Sequence, residues 1–193
     1  MNRQTQNRAR GFTFLEFLIV SSVLTIISGA LAEFTTQNMQ FQILSQVQGD
    51  LRTTGHVAMD QMVTELRHAT RAAAGSPPNL TIPASPNNTS LTFYLPADLD
   101  GNGFIIDAAG NIEWVTGTPI QYQYDVGTKQ LRRIAGGATR VLANDVTQAV
   151  FKDRTIDGSL NPDEVSIQLT LQRVTSNGRS VSTTVSALVK SRN

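Results

Sequence analysis

Oxygen-bearing side chains recur at alternate positions between residues 98 and 104. Asp98, Asp100 and Asn102 are followed by Gly103 and Phe104, in the order that opens a calcium-binding loop. Carboxylates at alternate positions of a tight loop can converge on one hard cation, and the carbonyl of Phe104 would supply a further oxygen. The chemistry indicated is the binding of a Ca²⁺ ion that stiffens the loop, without catalysis.

The match to a calcium loop is partial. The twelfth position of such a loop carries a bidentate Glu, whereas this chain has Ala109 there. Asp107 or Glu113 could supply the missing carboxylate. A run rich in Asp, Asn and Gly is also typical of a plain turn without metal, so the sequence leaves both interpretations open.

Glu16 is a carboxylate at the start of an apolar segment. No residue from Phe17 to Ala32 is charged, and Phe12–Phe34 has about the 20 residues that a helix needs to cross a bilayer. A carboxylate at membrane depth costs roughly 2.5–3.5 kcal/mol on insertion scales. The side chain could reach the interface by snorkelling, or it could pair with a cation. Cleavage after Gly11 would create such a cation, the α-amino group of Phe12.

The segment before the apolar run is basic. Arg3, Arg8 and Arg10 occur in residues 1–11 without any acidic residue, so we expect this end to stay in the cytoplasm while the rest crosses the membrane. No persuasive Ala-x-Ala cleavage site follows the apolar run. The sequence therefore predicts that the membrane segment is retained.

The string Gly11-Phe12-Thr13-Phe14-Leu15-Glu16 before an apolar helix resembles the leader of type IV pilins and type II secretion pseudopilins. The resemblance implies that a prepilin peptidase cuts after Gly11 and that Phe12 is then N-methylated. It also implies that Glu16 neutralises the terminal amine of a neighbouring subunit during filament assembly. Phe17 stands where Leu is commoner in that family, and the apolar character is kept.

Composition argues against several classes of function. Without the leader, 13 basic residues face 15 acidic ones, so no basic field for nucleic acid is predicted for the mature chain. There is no cysteine, which excludes disulfides and thiolate chemistry. The two histidines, His56 and His68, lie 12 positions apart and not at the helical spacing by which two ligands meet. No catalytic motif is recognisable, so we expect no enzyme activity and no required cofactor.

The elements around these residues follow from periodicity. Apolar residues at spacings of three, four and seven predict that the helix continues as an amphipathic segment to about Ala74, with a bend or loosened turn possible at Gly49 and Gly55. Alternating patterns after residue 80 predict antiparallel strands, of which the clearest begins at Val165 and has Val165, Ile167, Leu169 and Leu171 on one face. Hairpin turns are predicted at residues 135–137, Ala-Gly-Gly, and at residues 176–178, Ser-Asn-Gly. The predicted fold is α+β and pilin-like, with the long N-terminal helix packed on an antiparallel β-sheet head. We predict a leader at 1–11, an assembly helix at 12–34, an amphipathic helix at 35–74 and a head at 75–193.

Later segments are similar to PilW-like minor pilins and J-type pseudopilins, among them Met62–Ala69 and Ile120–Tyr124. The leading hypothesis is a structural subunit of the bacterial inner membrane, with its head in the periplasm, that joins other pilins in a type IV pilus or a secretion pseudopilus. We expect a position near the tip or a role in initiation. The alternative is a membrane-anchored, calcium-dependent binding module that does not polymerise.

Overall fold

The computed structural model describes residues 13–69, 80–86, 88–110, 112–113 and 118–190. One helix, α1, runs without interruption over Phe14–His68. The chain forms two compact units, Met1–Leu44 and Ser45–Asn193, and α1 contributes to both. The helix remains α-helical through Gly49 and Gly55, so neither glycine breaks it. Residues 70–74 of the predicted helix lie outside the described residues.

Eight strands follow α1 within the second unit. Their bounds are β1 Leu80–Thr81, β2 Ser90–Phe93, β3 Ile120–Asp125, β4 Gln130–Ala135, β5 Ala138–Ala143, β6 Val146–Lys152, β7 Glu164–Val174 and β8 Ser180–Lys190. They form two antiparallel sheets, one with the order β1-β2-β3-β4-β5 and the other with the order β6-β7-β8. The α+β, pilin-like fold class predicted from the sequence is confirmed.

The two predicted hairpins are present. Gly136 and Gly137, both at positive φ, join β4 to β5, and glycine adopts this backbone conformation without the steric cost of a Cβ. Gly178, also at positive φ, lies in the turn between β7 and β8, where Asn-Gly predicts a hairpin. Strand β6 was not predicted, and neither was the division into two sheets.

The core of the second unit forms between α1 and the sheets. One helical face is buried at three- and four-residue spacing, and it comprises Leu51, Gly55, Ala58, Met62 and Leu66. Except for Gly55, they belong to one apolar cluster with strand residues such as Phe93, Tyr122, Phe151, Leu169 and Leu171. Alternation along β7 buries Val165, Ile167, Leu169 and Leu171, as the sequence predicts. Each such side chain contributes about 1.5–3 kcal/mol through its burial.

Candidate functional site

Thr13 and Glu16 form a reciprocal cap at the N-terminus of α1. The Glu16 Oε2 atom accepts hydrogen bonds from the backbone N–H of Thr13 at 3.0 Å and from its hydroxyl at 3.1 Å. The Glu16 N–H donates to the Thr13 Oγ1 atom at 3.3 Å. This is a capping box, in which a Thr and a Glu three residues later satisfy backbone groups that the helix leaves unpaired. The Thr-x-x-Glu spacing signals the box in the sequence, but we did not predict it. Gly11 and Phe12 lie outside the described residues.

The helix residues that follow Glu16 expose their apolar side chains. In the first unit Phe17 is 62% exposed and Ile26 is 72% exposed. The helix α1 is long and apolar enough to cross a membrane. A signal sequence near an N-terminus meets the same criteria of length and composition. The polar residues of this segment bond to their own helix: the hydroxyls of Ser21, Ser22 and Thr25 donate to backbone carbonyls three or four residues earlier. Such bonds satisfy hydroxyl groups where water is absent.

The loop between β2 and β3 contains the predicted calcium ligands, and Asp98 organises its first turn. The Asp98 carboxylate accepts hydrogen bonds from the N–H groups of Gly101 at 2.7 Å and Gly103 at 2.8 Å. The N–H of Asn102 donates to Asp98 at 3.2 Å and to Asp100 at 2.9 Å. The hydrogen bond from Gly103 is the largest of several that lower the pKa of Asp98. Asp98 is therefore held as a carboxylate.

Glu113 joins Asp98 and Asp100 from the far side of the loop. One carboxylate oxygen from each of the three residues lies within 4.8 Å of the other two. Glu113 accepts a hydrogen bond from the Leu99 N–H at 2.7 Å, and its own N–H donates to the carbonyl of Ile105 at 2.9 Å. Three carboxylates at this spacing offer the oxygen ligands that a hard divalent cation prefers.

The remaining predicted ligands have other hydrogen bonds. Asp107 accepts from the Ala109 N–H at 2.9 Å, and the amide oxygen of Asn102 accepts from the Phe104 N–H at 2.7 Å. Of the two carboxylates proposed for the twelfth position, Glu113 is the one that the fold groups with Asp98 and Asp100.

A partly buried polar cluster links α1 to the five-stranded sheet. The Glu65 carboxylate accepts a hydrogen bond from the Tyr122 hydroxyl at 2.7 Å and two from the Arg133 Nε atom at 3.0 Å. Gln61 donates to the same carboxylate at 3.2 Å. Burial raises the pKa of Tyr122, and the hydrogen bond to Glu65 adds to the shift. The cluster fixes the last turns of the helix against β3 and β4. The sequence did not predict it, because Glu65 is 57 and 68 residues from its strand partners.

The histidines do not form a site with each other. His56 and His68 are exposed on α1, and the one group of three metal-ligating side chains found among the described residues contains neither. Their exposure agrees with the expectation, from their 12-residue separation, that they are surface or interface residues.

The long apolar N-terminal helix and the antiparallel sheets that follow it form an α+β, pilin-like fold. Residues 6–32 match the family model described as the prokaryotic N-terminal methylation motif. The match supports the type IV pilin-like superfamily and suggests a structural subunit. No curated protein matches the chain, and no solved structure does.

Proposed function

We propose that this chain is a minor pilin or pseudopilin, a structural subunit processed after Gly11, N-methylated at Phe12 and built into a filament by helix packing. The observation that carries the proposal is the match of residues 6–32 to the methylation motif, which covers residues 6–11 of the basic leader, the predicted cleavage position and most of the apolar run. The uninterrupted helix and the β-rich second unit support it, since a simple anchor requires neither.

Glu16 has a defined role in this proposal. Its carboxylate lies in the first turn of α1, where it accepts hydrogen bonds from Thr13. In a filament it would pair with the methylated terminal amine of a neighbouring subunit. Pairing would offset the cost of placing a carboxylate at membrane depth, since intramembrane charges require a partner.

The position near the tip and the assignment to a subgroup depend on segments that follow the apolar run. The segments similar to PilW-like minor pilins and J-type pseudopilins, Met62–Ala69 and Ile120–Tyr124, contain Glu65 and Tyr122, which bond to each other. A shared helix-to-sheet contact would explain why these segments resemble that subgroup. We assign the chain to it as part of the proposal.

The acidic loop supports a second element of the proposal, a structural calcium ion held by Asp98, Asp100 and Glu113. The spacing of their carboxylate oxygens and the charge held on Asp98 favour a hard cation. The same site would serve the alternative, an anchored calcium-dependent binding module that never polymerises.

Mass spectrometry of the mature N-terminus separates the two functions. The filament subunit is expected to begin at an N-methylated Phe12, with the first 11 residues absent. An anchored module that is not processed would retain Met1, and this result would overturn the proposal. Expression of the same chain without the prepilin peptidase provides the unprocessed control.

A further inference from the structure

Strand β8 forms one edge of the three-stranded sheet. It pairs with β7 over all 11 residues of Ser180–Lys190 without a register shift, and it is the last strand in the order β6-β7-β8. Within the described part of the chain, nothing hydrogen-bonds to the backbone on its outer side. An unpaired row of N–H and C=O groups is a template for a further strand.

The usual features that prevent edge pairing are absent from β8. Natural edges carry a proline, a bulge, a short strand or a charge in mid-strand. In β8 the one charged residue is the terminal Lys190, and its ammonium group lies 3.3 Å from the Asp163 carboxylate. The edge strand β5 differs, because it has six residues, an exposed Arg140 and a register shift against β4.

The strand that fits this edge best is a second copy of β8. The free side of β6 faces the other sheet, since the Phe151 N–H donates to the carbonyl of Asn88 at 3.0 Å. Strand β5 would cover about half of β8. Among the described strands, β7 and β8 alone have 11 residues, and β7 is paired on both sides.

The β8 sequence is also self-complementary in the antiparallel direction. A two-fold axis at Val185 sets Val181 opposite Val189 of the second copy on the face that each strand turns toward its core. On the exposed face, Ser182 lies opposite Leu188, and Lys190 lies opposite the uncharged Ser180. No like charges meet, and such a contact closes as a dimer.

We propose that two copies of this chain associate through β8, paired antiparallel about Val185, to form a continuous six-stranded sheet. The proposal does not depend on cleavage of the leader or on assembly into a filament.

Charge pairs introduced across the axis test the register. In the full chain, solubilised in detergent, Ser182→Lys/Leu188→Lys sets like charges opposite each other twice. Repulsion at both positions should raise the dimer dissociation constant by roughly fivefold or more. The matched variant Ser182→Lys/Leu188→Glu sets opposite charges at the same positions and should restore dimerisation. Both residues are exposed, and analytical ultracentrifugation gives the association state.

Disulfide trapping gives a second readout, because the chain has no cysteine of its own. Thr184→Cys and Ser186→Cys, carried on separately tagged copies, would be direct cross-strand neighbours, whose Cβ atoms are about 4.5–5.5 Å apart. We expect oxidation to link the two tags. The control Gln168→Cys, on the same face of β7, should not form linked dimers.

Three results would overturn the proposal. The first is a wild-type chain that is monomeric at all concentrations tested. The second is equal dimer dissociation constants for the Lys/Lys and Lys/Glu variants. The third is disulfide formation at Gln168→Cys as fast as between Thr184→Cys and Ser186→Cys. An edge that accepts a strand from a different protein would give the first result.

Discussion

The Glu16 carboxylate accepts hydrogen bonds from Thr13 within its own helix. Substitutions of Glu16 must therefore distinguish its role in capping the helix from the role of its negative charge. A Gln can replace Glu in a capping box, but it has no charge to offer to a neighbour's amine. We expect Glu16→Gln and Glu16→Leu both to insert in the membrane, and both to be several-fold depleted from sheared filaments. Immunoblots of the filament and membrane fractions measure this. Normal incorporation of the Gln variant beside a defective Leu variant would assign Glu16 to capping alone.

Tyr122 predicts a pH dependence of stability. Its side chain is fully buried, and burial together with Glu65 raises its pKa in the folded state above the usual value near 10. Above about pH 10 the unfolded chain therefore releases this proton while the folded chain keeps it. The free energy of unfolding should fall there by up to about 1.4 kcal/mol per pH unit, whereas this contribution is fully present below pH 10.

Tyr122→Phe is the control for that pH dependence. The variant lacks the titrating hydroxyl but leaves Glu65 paired with Arg133. It should lose about 1.5–3 kcal/mol at neutral pH, because the lost hydrogen bond is made to a charged carboxylate, and show a shallower decline above pH 10. Urea unfolding of the solubilised chain at several pH values gives both quantities. Parallel curves for the two proteins would show that Tyr122 does not titrate as described.

At the scale of elements, Gly49 and Gly55 form a matched pair in one helix. A Cβ at Gly49 would have no atom within 4 Å, whereas one at Gly55 would lie 3.0 Å from Val185 Cγ2 and 3.2 Å from Leu171 Cδ1. Both neighbours are buried and cannot move away freely. Gly49→Ala should stabilise the chain by up to about 1 kcal/mol through helix propensity. Gly55→Ala should destabilise it by about 1–2 kcal/mol, because overpacking exceeds that gain.

Thermal unfolding followed by circular dichroism measures both changes. Val185→Ala removes the methyl group nearest to the added Cβ. In that background Gly55→Ala should therefore cost less stability than it does in the wild-type chain. A stabilising Gly55→Ala would show that α1 can move away from β8 at little cost.

The acidic loop predicts stabilisation by calcium. A ligand that binds only the folded state adds about 2.7 kcal/mol at 100 times its dissociation constant, so Ca²⁺ should raise the melting temperature relative to chelator. Asp98→Asn should abolish the difference, while Asp157→Asn, in another part of the head, should retain it. Equal melting of the wild-type chain with Ca²⁺ and with chelator would identify the loop as a metal-free turn.

Local patterns predicted some elements and missed others for identifiable reasons. The sequence predicts β7 and β8 because apolar residues recur with a period of two on one face of each strand and an Asn-Gly turn joins the strands. In β6 the register against β7 shifts between Val146 and Gln148, so its buried residues Val146, Ala149 and Phe151 do not alternate. A bulge thus removed the period-two signal on which the prediction of strands depends.

The acidic loop and the Glu65 cluster also differ in how far apart their residues lie in the sequence. Asp98 and Asp100 are close in sequence and were predicted together, whereas the bridge between Ile106 and Ile112 returns Glu113 to the loop. Contacts made over tens of residues, such as that between Glu65 and Arg133, leave no periodic trace. Gly11, Phe12 and Glu16 stay predicted cleavage and assembly residues, because their roles follow from the resemblance of residues 11–16 to a prepilin leader.

For the molecule as a whole, the distribution of charge predicts its orientation in the membrane. Residues 1–11 have three arginines and no acidic residue, and the apolar run Phe17–Ala32 separates them from a remainder with 13 basic and 14 acidic residues. Since Lys and Arg are retained in the cytoplasm, the second unit should lie in the periplasm. Asn177→Cys, an exposed position in a chain without other cysteines, should react completely with an impermeant maleimide in intact spheroplasts. Permeabilisation should add no further label.

Replacing Arg3, Arg8 and Arg10 by Ser in that background tests the cause of the orientation. Without the positive charges of residues 1–11 the apolar helix should still insert, because Phe17–Ala32 is unchanged. Part of the population should then take the opposite orientation. That fraction would become labelled at Asn177→Cys only after permeabilisation. If a membrane peptidase cuts the leader on the cytoplasmic side, where the leader is expected to lie, a subunit in the opposite orientation should also keep its unprocessed mass. An unchanged labelling pattern would show that features of the chain other than the leader charges fix its topology.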